Sequence, residues 1–181
     1  MKTFIIIFIL LIIISGCTET TSNEQPKEFT LEEVISVFET LAWEMHNTGG
    51  IPEERVSEIL GMGLVQDPEF IAVFHAYTGN ENVNVAVSWK RDSQEEFLNA
   101  SMIVKTDELD IPIPMSRIDI QPYVLAIEPG TKLQYFEHLF DRPGILTDYI
   151  FGNFKYRWFS SSFNVIVEVD ENFEVKKLEV D

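Results

Sequence analysis

Apolar residues recur along this chain with two periods, and the switch between them dictates a mixed architecture. Leu31, Val34, Ile35, Phe38, Leu41, Ala42 and Met45 return every three or four residues, which places them along one face of a helix. From Phe70 onward the period is two. Val83, Val85, Val87 and Trp89 recur at every second position, and so do Phe163, Val165, Val167 and Val169. Alternation of this kind sends one set of side chains to one face of a sheet. The spacing predicts an α+β chain.

Local signals mark the boundaries. Thr30 is suited to cap the first helix, with Glu33 as its capping-box partner and Phe29 and Val34 as a hydrophobic staple. Asn47-Thr48-Gly49-Gly50 ends it. A shorter helix follows, with Pro52 at its first position, Glu53 and Glu54 in its first turn and Gly61 after its end. Strands are predicted over 70–78, 83–90 and 97–105, the first two flanking the hairpin signal Gly79-Asn80-Glu81-Asn82. Residues 106–121 contain Pro112 and Pro114 and no clear period, and read as a linker. A helix over 131–140 and strands near 149–159, 163–169 and 174–180 complete the chain.

The N-terminus carries a different signal. Lys2 precedes eleven unbroken apolar residues, Phe4 to Ile14. As a helix that run reaches about 16 Å, short of a bilayer core of roughly 30 Å, and it has the length of a signal-peptide core. Ile14-Ser15-Gly16-Cys17 then resembles the lipobox of prokaryotic lipoproteins. The resemblance implies cleavage between Gly16 and Cys17 and attachment of diacylglycerol, often with a further acyl chain such as palmitate, to the Cys17 thiol. Cys17 is the sole cysteine, so no disulfide forms within the chain. Residues 1–16 are thus expected to be a signal peptide and 17–28 a lipidated, polar tether. The expected location is the cell membrane or outer membrane, outside the cytoplasm.

Thirty Asp and Glu against thirteen Lys and Arg leave a net charge of −17, and removal of Lys2 makes it more negative. Such a surface repels nucleic-acid phosphates and anionic lipid headgroups, so membrane contact falls to the anchor. With 45% hydrophobic residues and 14 Phe, the chain has ample core material.

Adding 80 to the residue number aligns the two halves without gaps over some 40 residues. Gly50 meets Gly130, Val56 meets Phe136, Ile59 meets Leu139, Phe74 meets Phe154, and 84–87 meet 164–167. A unit of about 60 residues is marginal alone, and two such units packed together share a core. The expected units are 29–105 and 122–181. Ile127-Glu128-Pro129-Gly130-Thr131, Phe136, Leu139-Phe140 and Pro143 resemble the motif opening the SmpA/OmlA (BamE) lipoprotein family, and a similar motif opens each half of the β-lactamase inhibitor protein family. Asp141 and Phe173 depart from the pattern, standing where those families usually have glycine. The resemblance implies two repeats with helices packed on one face of an antiparallel sheet, forming a non-catalytic module that binds another protein.

No catalytic or cofactor pattern competes with this. His46, His75 and His138 lack metal-site spacing, and Ser160-Ser161-Ser162 falls in a predicted turn without a nucleophile elbow. Glu53, Glu54 and Glu58 lie on the polar side of a short helix, and Asp170-Glu171-Asn172 lacks the rest of a calcium ligand set. Neither a cofactor nor a metal is expected. If Phe154, Tyr156 and Trp158 face the helices, Lys155, Arg157 and Phe159 point the other way, with His75 and Tyr77 matching Lys155 and Arg157 in the first half. These five are the candidate contact residues. The competing expectation is a small-ligand binder with a cone-shaped (NTF2-like) fold, its first helix closing a curved sheet over a pocket.

Overall fold

A computed structural model of the chain describes residues 28–89, 96–105, 116–160 and 163–181, side chains at 124 and 125 excepted. The predicted signal peptide, Cys17, the tether as far as residue 27, residues 106–115 and Ser161–Ser162 lie outside that set.

Helix α1 (Leu31–Thr48) begins at the predicted capping box. The Glu33 amide donates to Thr30 Oγ1 at 3.2 Å, and the Thr30 amide donates to the Glu33 carboxylate at 2.9 Å. It ends where Gly49 turns left-handed and donates to the Met45 carbonyl. Helix α2 (Glu53–Leu60) starts one residue later than expected, with Pro52 as its cap, and closes on a left-handed Gly61. Then come β1 (Leu64–Gln66), β2 (Val73–Tyr77), β3 (Val83–Trp89) and β4 (Phe97–Val104). They are followed by α3 (Arg117–Leu125), α4 (Leu133–Leu139), β5 (Ile145–Ile150), β6 (Asn153–Phe159), β7 (Asn164–Val169) and β8 (Val175–Val180).

Three departures from the sequence-based expectation have physical causes. Strand β1 is only three residues long, too short for an alternating pattern to register. Helix α3 occupies 117–125, partly within the expected linker. Ser116 and Asp119 form a capping box there, but Pro122 inside the helix hides it from a periodicity argument. The expected strand over 149–159 is two strands, because Phe151 and Gly152 both adopt positive φ, 52° and 86°, and turn the chain back.

All eight strands form one antiparallel sheet in chain order. The halves join through a short β4–β5 pairing, Ala100 opposite Tyr149 and Ser101 opposite Asp148. Helix α1 packs against β3, β4 and β5, so it straddles this junction. Its Val34, Phe38, Leu41, Ala42 and Met45 are fully buried against Val85, Val87, Ala100 and Phe154 in one continuous core. An aromatic cluster extends the contact into the second half. The Trp43 ring lies 4.5 Å from Phe154 and 5.8 Å from Phe173, and His46 lies 5.3 Å from Phe154. Outside the core, Arg55 ties α2 to α1 with two nearly parallel hydrogen bonds to Glu44, at 2.6 and 2.8 Å. Among the described residues, no helix is long and apolar enough to cross a membrane.

Two backbone hydrogen bonds hold the openings of β4 and β8. The Phe97 amide, opening β4, donates to the Ile51 carbonyl at 2.8 Å, and the Val175 amide, opening β8, donates to the Thr131 carbonyl at 2.8 Å.

Candidate functional site: the polar face of the sheet

Strand alternation sorts the sheet into two faces. Phe74, Ala76, Val85, Val87, Phe154, Tyr156, Trp158, Val165 and Val167 are buried. The residues between them form the other face, half-exposed except at the buried Ile166. Because directly paired residues project the same way, the strand registers define one row across this face: Val65, His75, Ala86, Ser101, Asp148, Lys155, Glu168 and Lys177.

The two ends of that row differ electrostatically. On β5–β8 the charges alternate and pair. Asp148 accepts from Ser101 Oγ and Thr147 Oγ1, both at 2.8 Å, with Arg157 Nη2 at 3.6 Å. Lys155 lies 3.9 Å from Glu168, which also accepts from Asn153 Nδ2 at 2.8 Å, and Lys177 pairs with Glu179. A bulge between Leu146 and Asp148 makes the arrangement possible. It turns the buried Thr147 hydroxyl to the same side as Asp148, where it also accepts from Arg157 Nε at 3.1 Å.

Among the described residues, the face on β2–β4 carries no carboxylate or ammonium. It is built from His75, Tyr77, Asn84, Ala86, Ser88, Asn99, Ser101 and Ile103, bordered by exposed Val65 and Phe151. His75 Nε2 lies 2.8 Å from Asp67 Oδ2, at the β1–β2 turn. That contact, with the amides of Glu69 and Phe70 donating to Asp67 Oδ1, holds the Asp67 carboxyl below its usual range.

The five candidate contact residues share this face without forming one cluster. His75 and Tyr77 stand on β2, and Lys155 and Arg157 on β6, four strands away, which is about 19 Å at roughly 4.8 Å per strand. Tyr77 is exposed and His75, Lys155 and Arg157 are partly covered, but Phe159 is only 7% exposed. Phe159 pairs in register with Asn164 on the side away from Trp158, but it is covered there, so of the three candidates on β6 only Lys155 and Arg157 are accessible. Cys17 and Gly16 lie outside the described residues. His46 joins the aromatic cluster, 3.7 Å from Glu171, and His138 Nδ1 lies 2.7 Å from the Gln134 carbonyl. Among the described residues no group of His, Cys, Asp and Glu is arranged to hold a metal.

Sequence reasoning missed Asp148, Thr147 and Ser101, the polar centre of the face. No motif marks them, because a bulge and a pairing across 47 residues bring them together. It also missed Asn84 and Ile103, which pair in register beside Tyr77 and for which alternation along β3 and β4 was the available signal. The chain matches no protein-family model, no curated protein and no solved structure.

Proposed function

We propose that this chain is a lipid-anchored module facing outside the cytoplasm, which binds another protein of the cell envelope and performs no catalysis. The observation that carries the protein-binding reading is the electrostatic contrast of the polar face. In a chain of net charge −17, this face either pairs its charges internally or has none, while Tyr77, Ile103, Val65 and Phe151 stand out from it. A surface already neutralised, with exposed aromatic and aliphatic side chains, is cheap to desolvate. The anchoring reading rests on Ile14-Ser15-Gly16-Cys17 behind a short apolar run.

The same proposal includes a duplication, with all four helices over the buried face of the sheet, as in the SmpA/OmlA (BamE) and inhibitor families. The order of two helices and four strands, twice, supports it. So do the matching amide-to-carbonyl contacts at the openings of β4 and β8. The left-handed backbone of Asp141, at φ 55°, falls 80 residues after the left-handed Gly61, and Phe173, at φ 57°, also adopts the conformation glycine would. Both departures from the family motif thus fall where the backbone takes the left-handed conformation that glycine favours, which supports the resemblance. The space beneath α1 is filled by Phe38, Leu41 and Met45, which weighs against the cone-shaped ligand binder.

Two experiments test the halves of the proposal separately. Metabolic labelling with a fatty acid should mark the wild type and not Cys17→Ala; label retained by the variant removes the anchor. The double variant Tyr77→Ala, Arg157→Ala should weaken capture of the envelope partner by about tenfold or more, with Glu53→Ala on α2 as an unaffected control. Equal capture by all three proteins removes the polar face from consideration.

A further inference from the structure

Tyr77, Asn84 and Ile103 form a row across β2, β3 and β4. The outer two are large and exposed, Tyr77 at 64% and Ile103 at 55%, and the middle one is short. The result is a slot of about 530 Å³ with Tyr77 and Ile103 as walls and Asn84 in its floor, closed at one end by the hairpin residues 78–82 and flanked by Lys105. Its size falls within the range of small-molecule sites. The loop at its end is held firm. Thr78 is buried, donates to the Val83 carbonyl at 2.7 Å and accepts from the Asn80 amide at 3.1 Å.

The geometry points to an uncharged pyranose ring as the occupant, that is, a unit of a neutral glycan. Strands two apart place the walls about 9.6 Å from one another, so a flat ring set between them lies about 4.8 Å from each, a packing distance for rings. A pyranose offers apolar faces to Tyr77 and Ile103 and a polar edge to Asn84. The Asn84 side-chain amide meets that edge only by turning from its present rotamer, and little holds it there. Its Nδ2 makes only a long contact of 3.4 Å with His75 Nδ1, and its Oδ1 is enclosed with no partner among the described residues. An enclosed acceptor without a donor is costly, so turning the amide toward a ligand hydroxyl relieves a penalty. Asn164 Oδ1, in the second half, also lacks a described partner, but it pairs in register with the buried Phe159, which leaves no comparable wall standing free. Glu81 and Lys105, of opposite charge, both line the slot. The chain's overall negative charge disfavours a phosphorylated or acidic ring. This site does not depend on the anchor or on a protein partner.

The test is saturation-transfer and two-dimensional amide NMR on the purified full chain, with three probes: the N-acetylglucosamine trimer, maltotriose and N-acetyltryptophanamide. The expected result is transfer to at least one of the two sugars, with shifts at the Asn84 side-chain amide and at Tyr77 and Ile103. The difference between the sugars identifies whether the acetamido group is read. Tyr77→Ala should weaken binding about tenfold or more while leaving the thermal midpoint unchanged, since Tyr77 is exposed. Asn84→Asp, which keeps an acceptor in the floor, should bind better than Asn84→Ala. The proposal is overturned if neither sugar binds, if only the tryptophan amide enters the slot, or if Tyr77→Ala binds like the wild type.

Discussion

Two single positions show how backbone geometry, rather than side-chain chemistry, sets what this sequence tolerates. Asp141 holds φ 55° just after α4, a conformation that costs a non-glycine residue roughly 1–2 kcal/mol. Its side chain is exposed, so little is lost by removing it. Asp141→Gly should therefore raise stability by about 1 kcal/mol, read as a higher denaturant midpoint with unchanged slope. Phe173 holds a similar φ of 57°, but its ring lies against Trp43, so the same exchange there would trade strain for packing. Gly144 is the opposite case. A Cβ at this position would stand 2.8 Å from the Trp158 ring and 3.0 Å from Tyr156 Cβ. Trp158 cannot easily give way, because it is buried and its Nε1 donates to the Arg142 carbonyl at 3.1 Å. Gly144→Ala should cost about 1–3 kcal/mol through overpacking, measured in the same denaturation experiment. The sequence shows Asp141 as an anomaly only beside a glycine-bearing motif, and it gives no sign of Gly144 at all, since a close approach between β6 and the segment before β5 exists only after folding.

Among the elements, the β1–β2 unit is the most dependent on polar contacts. Strand β1 has three residues, and its turn is organised by Asp67, which accepts from two amides and meets His75 at 2.8 Å. Because folding lowers the Asp67 pKa, its contribution is present above the unfolded value of about 3.9 and is lost as pH falls through the lower, folded value. Asp67→Asn should thus melt below the wild type at neutral pH, and the gap should close as the pH drops beneath about 3.9. A gap that persists undiminished into strong acid would show that the carboxylate charge is not what holds the turn. Elements with a clear period were legible beforehand. Helix α1 shows in the sequence through its apolar face and its Thr30–Glu33 box, and β3 and β7 through apolar residues at every second position. Strand β1 and helix α3 do not, the one too short to show a period and the other interrupted by Pro122.

The whole molecule is held across its midline by two features. The β4–β5 pairing makes one sheet of two four-stranded halves, and α1, although it belongs to the first half, packs on β5 and reaches Phe154 and Phe173 through Trp43. The tryptophans are placed to report on this, Trp89 in the first half, Trp158 in the second and Trp43 between them. In variants retaining only Trp89 or only Trp158, with the other tryptophans changed to Phe, the denaturant transitions relative to far-UV circular dichroism should coincide. Separate midpoints for the two would mean that the halves unfold as independent domains.

The sequence by itself determined the elements with a clear period, the inward set Val83, Val85 and Val87 on β3 and Val165, Val167 and Val169 on β7, and the caps of the first two helices. These follow from periodicity and from hydrogen-bonding needs satisfied within a few residues. Only the tertiary structure decided that eight strands make a single sheet, that Phe159 is covered, that Thr147 and Asp148 gather Ser101 and Arg157, and that Tyr77 and Ile103 stand as walls beside Asn84. The reason is one of range. A strand's alternation specifies a face but not a neighbour, and pairing across 47 residues is selected by the fit of the entire core beneath α1, which no local segment of the chain encodes.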